Sequence, residues 1–361
     1  MRVLAALSGG VDSAVAAARA VDAGHDVVGV HMALSRNRDE FRSGARGCCS
    51  IEDSNDARRA ADKLGIPYYV WDLSDEFHDL VVRDFLDEYA AGRTPNPCVR
   101  CNEHIKFDTL LERAEVLGFD AVATGHYARA VTREDGVREL HRARDAAKDQ
   151  SYVLAVMGPE KARAVPVPAR GHVLKVRGSR RGGSARPRGQ QQAGLVRHLF
   201  CGRWRHQGLP AARTGRASRR HRRSRGRRRR RSPGRLRVHR RPAQGPRHRA
   251  SCSRRRPRYV TGVDTTRNVV TVGPETLLSV STLVGDATVW LAPDVAADAP
   301  VACHAQVRAH GAPTAGTVVR NGDRLTVELD EPMRGVAAGQ SLVVYQGTRV
   351  LGQATLVGRS L

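Results

Sequence analysis

The feature that most constrains the fold is a glycine-rich hexapeptide between a short apolar run and a segment of helical composition. It reads Ser8-Gly9-Gly10-Val11-Asp12-Ser13, after Val3–Leu7 and before Ala14–Val21. In a strand–loop–helix unit of this kind, glycine N–H groups, serine hydroxyls and the positive end of the helix dipole can bind phosphate. Asp12 is suited to hold Mg²⁺ on those phosphates. A simple Ser/Gly turn is the alternative, and the flanking strand and helix argue against it.

Strands and helices continue to alternate over the first 160 residues. The predicted strands are Asp26–Leu34, Pro67–Leu73 and Ala121–Thr124, and the predicted helices are Asp53–Leu64, Phe77–Tyr89 and Ile105–Leu117. Two prolines predict a loop over Thr94–Pro97. Alternation of this kind indicates βαβ units, so residues 1–160 are expected to form an α/β domain with a parallel sheet and helices on both faces.

A strongly basic segment, residues 161–257, interrupts this pattern. From Lys161 to Arg258 the chain has 34 Lys and Arg residues and no Asp or Glu, so the net charge of +25 comes from this part alone. The segment shows almost no apolar periodicity and is rich in Gly and Pro, which predicts disorder. As a basic arm it could attract RNA phosphates, although only Phe200 and Trp204 offer aromatic stacking.

Residues 258–361 are predicted to form an all-β, barrel-like domain. The stretches Val260–Val272, Thr317–Leu329 and Ser341–Val357 alternate as strands do, with turns at Asn321-Gly322-Asp323 and Gln346-Gly347. The chain has no apolar run long enough to cross a membrane and no export signal. A cytoplasmic protein without membrane contact is therefore expected.

Two closely spaced cysteines mark a second motif, Thr94-Pro95-Asn96-Pro97-Cys98-Val99-Arg100-Cys101-Asn102. A thiol beside Arg100 and at the start of the following helix is expected to have a lowered pKa. The resulting thiolate can act as a nucleophile or accept sulfur. The alternative is half of a zinc or iron–sulfur site, which Cys48-Cys49 could complete.

The motifs together resemble one enzyme family. The hexapeptide matches the SGGxDS signature of the PP-loop ATP pyrophosphatases, which have an adenine nucleotide alpha hydrolase-like fold. With GCCS, TPNPCVRCN, ATGHYAR and KDQSY, the chain resembles the MnmA family of tRNA-specific 2-thiouridylases from Met1 to about Met157 and again from Arg258. The resemblance implies that ATP adenylates the C2 oxygen of the wobble uridine of tRNA. Sulfur from a persulfide donor protein then displaces AMP.

The resemblance also assigns roles to individual residues. The implied ATP site comprises Ala6, Leu7, Ser8, Gly9, Gly10, Val11, Asp12, Ser13, Met32 and Gly125. The implied tRNA contacts are Asn96, Pro97, His126, Lys148, Asp149, Gln150, Arg308, Ala309 and Gln340. Ordinary exposed polar residues are an equal alternative for Arg308 and Gln340. Cys101 is the implied nucleophile and Cys98 is dispensable. The expected cofactors are ATP and Mg²⁺, and no resident metal site is predicted.

The family pattern breaks in the basic segment. The family has a second cysteine there, within Asp-Ile-Cys, which carries the persulfide and forms a disulfide with the first. Cys201 lies near that place, but its neighbours differ. In a shifted reading frame, codons for Val196–Leu199 can encode Tyr-Asp-Ile-Cys, and Phe200–Pro210 and Gln244–Ser251 also give family-like stretches. A frameshift that starts near Arg163 and reverses near Arg258 is therefore predicted.

Two other functions stay open at this stage. The chain could be a damaged thiouridylase whose basic segment only binds RNA. It could also be a different PP-loop enzyme, such as an amidating or argininosuccinate-type ligase, which would have no use for Cys101.

Overall fold

A four-stranded parallel sheet forms the centre of the first domain. The structure, a computed structural model, describes residues 1–36, 51–158, 219–223, 228–232, 257–296 and 298–360. The strands are β1 (Arg2–Ala6), β2 (Asp26–Ala33), β3 (Tyr68–Asp72) and β4 (Ala121–Ala123). Their order is β3-β2-β1-β4, and every neighbouring pair is parallel.

Helices cover both faces of this sheet. They are α1 (Val11–Asp22), α2 (Ile51–Leu64), α3 (Ser74–Phe77, His78–Val82 and Arg83–Ala90), α4 (Pro97–Arg100, Cys101–Thr109 and Leu110–Val116) and α5 (Ser151–Leu154). Successive side chains of a strand point to opposite faces. Val3 and Ala5 accordingly pack with α1 and α2, whereas Leu4 and Ala6 pack with α4. The predicted α/β domain is confirmed.

Short strands continue the chain after β4. A hairpin is formed by β5 (Arg129–Thr132) and β6 (Arg138–His141). A second sheet contains β7 (Arg219–Arg223), β8 (Arg228–Ser232), β9 (Tyr259–Asp264) and β10 (Val269–Gly273), in the order β8-β7-β10-β9. No turn was predicted within the strand-like stretch Val260–Val272. The chain instead turns back at Asn268, whose φ of +51° is a left-handed conformation that asparagine tolerates.

Strands β7 and β8 differ from the disorder expected for the basic segment. Backbone pairing of β7 with the edge of β10 does not depend on side-chain hydrophobicity, which was the basis of that expectation. The remainder of 161–257, except Pro257, lies outside the described residues, as do Cys48-Cys49 and Cys201.

The C-terminal domain is a closed antiparallel barrel of six strands. These are β11 (Ser279–Trp290), β12 (Val301–Gln306), β13 (Thr314–Asn321), β14 (Arg324–Arg334), β15 (Ser341–Gln346) and β16 (Arg349–Ser360). The order is β11-β14-β13-β12-β15-β16, and β16 pairs back with β11. The predicted turns at 321–323 and 346–347 connect β13 to β14 and β15 to β16. The barrel prediction is confirmed.

The two domains share one hydrophobic cluster. Val99 and Phe107 from α4 and Tyr152 from α5 pack in it with Val343 and Tyr345 of the barrel. The β5–β6 hairpin also joins the edge of β16. Burial of apolar side chains from both domains against each other stabilises their relative position.

A group of ion pairs adds a polar link beside this cluster. Asp294 accepts hydrogen bonds from Arg349 of β16 and from Arg133 of the hairpin loop. Arg349 also lies 3.2 Å from Glu139, and the side chains of both residues are 11% exposed. Hydrogen bonds from Arg349 and Arg133 hold the pKa of the Asp294 carboxyl well below its ordinary value of 3.8.

We expect Asp294→Asn to destabilise the protein by about 1–2 kcal/mol at neutral pH. Because the folded-state pKa of Asp294 is lowered, its stabilisation is present above the ordinary value and is lost as the pH falls. The stability difference between wild type and variant should therefore be constant from about pH 6 to 8 and shrink below about pH 4. Chemical unfolding at a series of pH values measures it.

The matched control is Asp75→Asn. Asp75 pairs with Arg36 on an exposed surface, where its side chain is 78% exposed. Such pairs contribute about 0–1 kcal/mol. An equal loss of stability in both variants would contradict the role assigned to Asp294.

In the described ranges, no helix has the length and apolar character needed to span a membrane.

Candidate functional site

The glycine-rich loop is braced by its two serines. The Oγ of Ser13 accepts the N–H of Ser8 at 3.1 Å and donates to the carbonyl of Gly10 at 2.9 Å. The hydroxyl of Ser8 lies 3.2 Å from that of Ser13. Gly10 precedes α1 and, without a side chain, cannot cap its first N–H groups. The arrangement therefore keeps a helix N-terminus open to an anion.

Two glycines allow close packing around this loop. Gly9 has a φ of +79°, and a Cβ there would lie 2.8 Å from the Cα of Asp53 in α2. A Cβ on Gly125, after β4, would lie 2.6 Å from the backbone nitrogen of Ser13. Gly125 thus lies against the first turn of α1, beside the loop that the sequence assigned to ATP.

His31 binds the carbonyl group of Leu7, the residue directly before the glycine-rich loop. This contact was not predicted from the sequence. The side chain of His31 is buried, and Nδ1 lies 2.9 Å from the carbonyl oxygen of Leu7. Burial lowers the pKa of His31, which favours the neutral ring. A carbonyl only accepts, so Nδ1 carries the proton and donates it. The neighbouring Met32, a member of the implied ATP site, is half-buried and packs against the apolar cluster around Leu73.

The segment 124–127, which follows β4, contacts two other parts of the site. The Oγ1 of Thr124 lies 2.9 Å from Nδ1 of His126, whose Nε2 lies 3.4 Å from Nζ of Lys106 in α4. The hydroxyl of Tyr127 donates to Oδ1 of Asp12 at 3.0 Å. Burial and the nearby Lys106 lower the pKa of His126, so its ring is neutral. Segment 124–127 therefore connects the predicted phosphate loop (Ser8–Ser13) to α4, the helix that carries Cys98 and Cys101.

The two cysteines lie inside α4. The loop expected over Thr94–Pro97 ends one residue earlier, because Asn96 caps the helix and Pro97 occupies its first position. The side-chain oxygen of Asn96 accepts the N–H groups of Cys98 and Val99, at 3.1 and 3.4 Å. Proline lacks an N–H and is favoured at a first helical position, where none is needed.

The expected lowering of the thiol pKa is wrong for this structure. Burial raises the pKa of Cys98 to about 11 and also raises that of Cys101. Arg100, which was expected to stabilise the thiolate, instead pairs with Glu103 at 2.8 Å and with Asp84 at 3.6 Å. The cation that does lower the pKa of both thiols is Lys106, although burial has the larger effect.

Lys106→Gln is expected to slow alkylation of Cys101 by iodoacetamide several-fold at pH 8. Removing the positive charge raises the thiol pKa further, so less thiolate is present at a given pH. The pH–rate profile should move to higher pH, and Lys106→Arg should behave like wild type. Mass spectrometry of the peptide that contains Cys101 measures the rate. An unchanged profile in Lys106→Gln would show that Lys106 does not act on this thiol.

The residues predicted to contact tRNA at 148–150 have unequal exposure. Lys148 is exposed, and its Nζ lies 3.3 Å from the hydroxyl of Tyr127. The carboxylate of Asp149 accepts the N–H of Ala143 and the hydroxyl of Ser151, at 2.8 and 2.7 Å. Gln150 accepts the N–H of Tyr127 at 2.9 Å. Lys148 is thus the member of the three that presents its side chain to solvent.

A turn of the barrel, residues 337–340, packs against the segment that leads into α4. The N–H of Thr94 donates to the carbonyl of Ala338 at 2.7 Å. Gly339 has a φ of +85°, and a Cβ there would lie 3.0 Å from the nitrogen of Thr94. The side chain of Gln340 is buried and accepts the N–H of Ala337 at 2.9 Å, so it holds this turn together.

The other two predicted contacts in the barrel lie near this turn. Arg308 is exposed and donates to the carbonyl of Gly335, and Ala309 is half-buried.

Across the described part of the chain, no three His, Cys, Asp or Glu side chains form a metal-binding group.

Known proteins match most of the chain. One family profile, described as a tRNA methyl transferase HUP domain, matches residues 1–178, and another, described as an aminomethyltransferase beta-barrel domain, matches residues 280–356. A Beutenbergia cavernae protein named tRNA-specific 2-thiouridylase MnmA is 56% identical over 380 residues, covering 99% of this chain and 94% of the relative. A Nocardioides sp. protein of the same name is 48% identical, covering 99% and 98%. The chain belongs to the tRNA-specific 2-thiouridylase family.

Solved structures show a more partial likeness to this thiouridylase-family chain. NMN synthetase from Francisella tularensis is 21% identical with a TM-score of 0.23, covering 34% of this chain and 43% of that chain. The first profile includes the phosphate loop, segment 124–127 and α4, and the second includes Arg308 and Gln340.

Proposed function

We propose that this member of the thiouridylase family uses ATP to convert the wobble uridine of tRNA to 2-thiouridine. The C2 oxygen of the uridine attacks the α-phosphate of ATP, and pyrophosphate leaves. A persulfide sulfur then attacks C2, and AMP leaves. Family membership supports action on tRNA, and the open helix N-terminus behind Ser8–Ser13 supports the binding of a nucleotide phosphate.

The observation that carries the proposal is the position of segment 124–127. Gly125 packs against α1, the hydroxyl of Tyr127 binds Asp12, and His126 lies beside Lys106 of the cysteine helix. One short segment thus holds a phosphate-binding loop and a thiol-bearing helix next to each other. An amidating or argininosuccinate-type ligase would need the loop but would have no use for the thiols.

The side chain that would hold Mg²⁺ is Asp12. Its carboxylate is in the first turn of α1, and Mg²⁺ commonly takes one or two carboxylates together with substrate phosphates. When bound, the ion supplies positive charge against the phosphate oxygens. The role of Asp12 is to fix where that charge is placed, and the Tyr127 hydroxyl orients the carboxylate.

The sulfur step assigns Cys101 as a nucleophile. A sulfur-carrier protein first loads a second cysteine as a persulfide. When the outer sulfur of this persulfide attacks C2 and AMP leaves, the second cysteine is linked to C2 through two sulfur atoms. The Cys101 thiolate attacks the inner sulfur of this group, which leaves the outer sulfur on C2 and a disulfide between the two cysteines. Burial raises the pKa of Cys101, which disfavours the thiolate, and the positive charge of Lys106 opposes this effect.

The basic segment is proposed to be the product of a shifted reading frame. The second cysteine of the proposed sulfur step belongs to this segment, and Cys201 lies near its expected place. Resequencing the gene across codons 160–260 tests this. A clean open frame that yields these same residues would exclude the frameshift and would favour a basic arm that binds RNA through its phosphates.

The test of the activity is 2-thiouridine in tRNA from a strain that lacks its own thiouridylase. A gene that encodes this sequence and a frame-restored gene are expressed in parallel, and the purified proteins are assayed for tRNA-dependent AMP release. Thiolation with the frame-restored gene supports the proposal. RNA binding that weakens steeply with salt, without AMP release from either protein, would instead indicate an RNA-binding protein.

We also propose that the protein acts in the cytoplasm.

A further inference from the structure

Tyr127 lies between the predicted phosphate loop and Lys148. Its hydroxyl donates to Oδ1 of Asp12 at 3.0 Å and lies 3.3 Å from Nζ of Lys148. The ammonium of Lys148 also lies 5.1 Å from the centre of the Tyr127 ring. The phosphate loop and the exposed lysine of 148–150 are therefore linked through one side chain.

The backbone of Tyr127 is fixed from the same side. Its N–H donates to Oε1 of Gln150 at 2.9 Å, and its carbonyl accepts the N–H of Gln150 at 2.8 Å. This pair of bonds locks segment 124–127 to residues 148–150 without any help from the phenol. The hydroxyl adds a connection to Asp12 and Lys148.

The direction of the hydrogen bonds makes this connection sensitive to occupancy. A carboxylate accepts only and an ammonium donates only, so the phenol donates to Asp12 and accepts from Lys148. A ligand that binds Asp12 acts on the carboxylate to which the phenol donates, so its binding changes how Tyr127 and, through it, Lys148 are held.

We propose that Tyr127 is a positioning residue that couples ATP binding at the phosphate loop to tRNA binding at Lys148. The inference rests on the proposed function, because it needs both ligands. Coupling of this kind is reciprocal: ATP tightens tRNA by the same factor by which tRNA tightens ATP.

The test is a binding cycle with the full chain and no turnover. The dissociation constant of a substrate tRNA is measured with and without a non-hydrolysable ATP analogue and Mg²⁺, for wild type and Tyr127→Phe. In wild type the analogue should tighten tRNA about fivefold or more. In Tyr127→Phe the ratio should fall to near one, while the affinity for tRNA alone changes less than about threefold. Tyr69→Phe, which removes a hydroxyl from an exposed tyrosine on β3, should keep the wild-type ratio.

A wild-type ratio near one, or an unchanged ratio in Tyr127→Phe, would overturn the inference. A merely structural role would weaken both ligands without changing the ratio, which also overturns it. Because the titrations need no reaction, a chain that shows the coupling but forms no 2-thiouridine refutes the proposed reaction alone. A chain that thiolates tRNA with coupling unaffected by Tyr127→Phe refutes this inference alone.

Discussion

Gly9→Ala is expected to weaken ATP binding about 100-fold or more, equal to about 2.7 kcal/mol. The φ of +79° at Gly9 is strained for alanine, at a cost of about 1–3 kcal/mol. The new methyl group would also meet the backbone of Asp53, which belongs to α2 and cannot rotate away as a side chain could. The loop has to move, and its N–H groups then no longer converge on one phosphate.

Gly24→Ala is the matched control for this change. Gly24 has nearly the same φ, +77°, but among the described residues no atom lies within 4 Å of where its Cβ would be. It should cost about 1 kcal/mol of stability and leave ATP affinity unchanged. Isothermal titration with a non-hydrolysable analogue measures both variants. Equal affinities for Gly9→Ala and Gly24→Ala would show that the contact with Asp53 does not shape the ATP site.

Cys101→Ser is expected to reduce tRNA thiolation about 10³-fold or more, the scale on which loss of a nucleophile acts. A serine hydroxyl has nearly the same size but cannot form the sulfur–sulfur bond that the proposed step requires. ATP affinity should not change, because the loop is held to α4 through segment 124–127 rather than through the thiol. The amount of 2-thiouridine in tRNA, measured with the substitution introduced into this gene and into the frame-restored gene, reports the effect.

Cys98→Ser provides the comparison on the same helix. Cys98 is also half-buried, and burial raises its pKa as it does that of Cys101. Thiolation in Cys98→Ser should stay within about threefold of wild type. If both variants lose activity equally, the two thiols act as a pair, and the assignment of Cys101 alone is wrong. Full thiolation by Cys101→Ser would show that Cys101 is not the nucleophile.

The parts of the fold that follow from local periodicity could be predicted from the sequence. Strand β2 and helix α2 begin and end within two residues of their predicted bounds. The turn at Asn321-Gly322-Asp323 could be predicted because such residues suit tight hairpins. The hairpin of β9 and β10 was missed, since an alternating run with one left-handed Asn268 looks like a single strand.

The parts of the site that depend on tertiary packing could not be predicted. His31 looks like an ordinary strand residue until the carbonyl of Leu7 is placed beside it. The link from Asp12 to Tyr127 joins residues 115 positions apart. The thiol pKa of Cys101 depends on burial and on Lys106, whereas sequence adjacency pointed to Arg100. The signal that could have found Lys106 was its position on the same helix as the cysteines.

The hydrophobic cluster shared by the two domains makes them a single cooperative unit. Its members come from residues 99–157 and from residues 289–350, so neither group can form the cluster alone. Contacts between such distant parts of a chain carry a loop-closure cost and slow folding. A catalytic fragment cut before the barrel would expose this apolar surface to water. The cysteine helix acquires its final environment only once the last strands of the protein have been made.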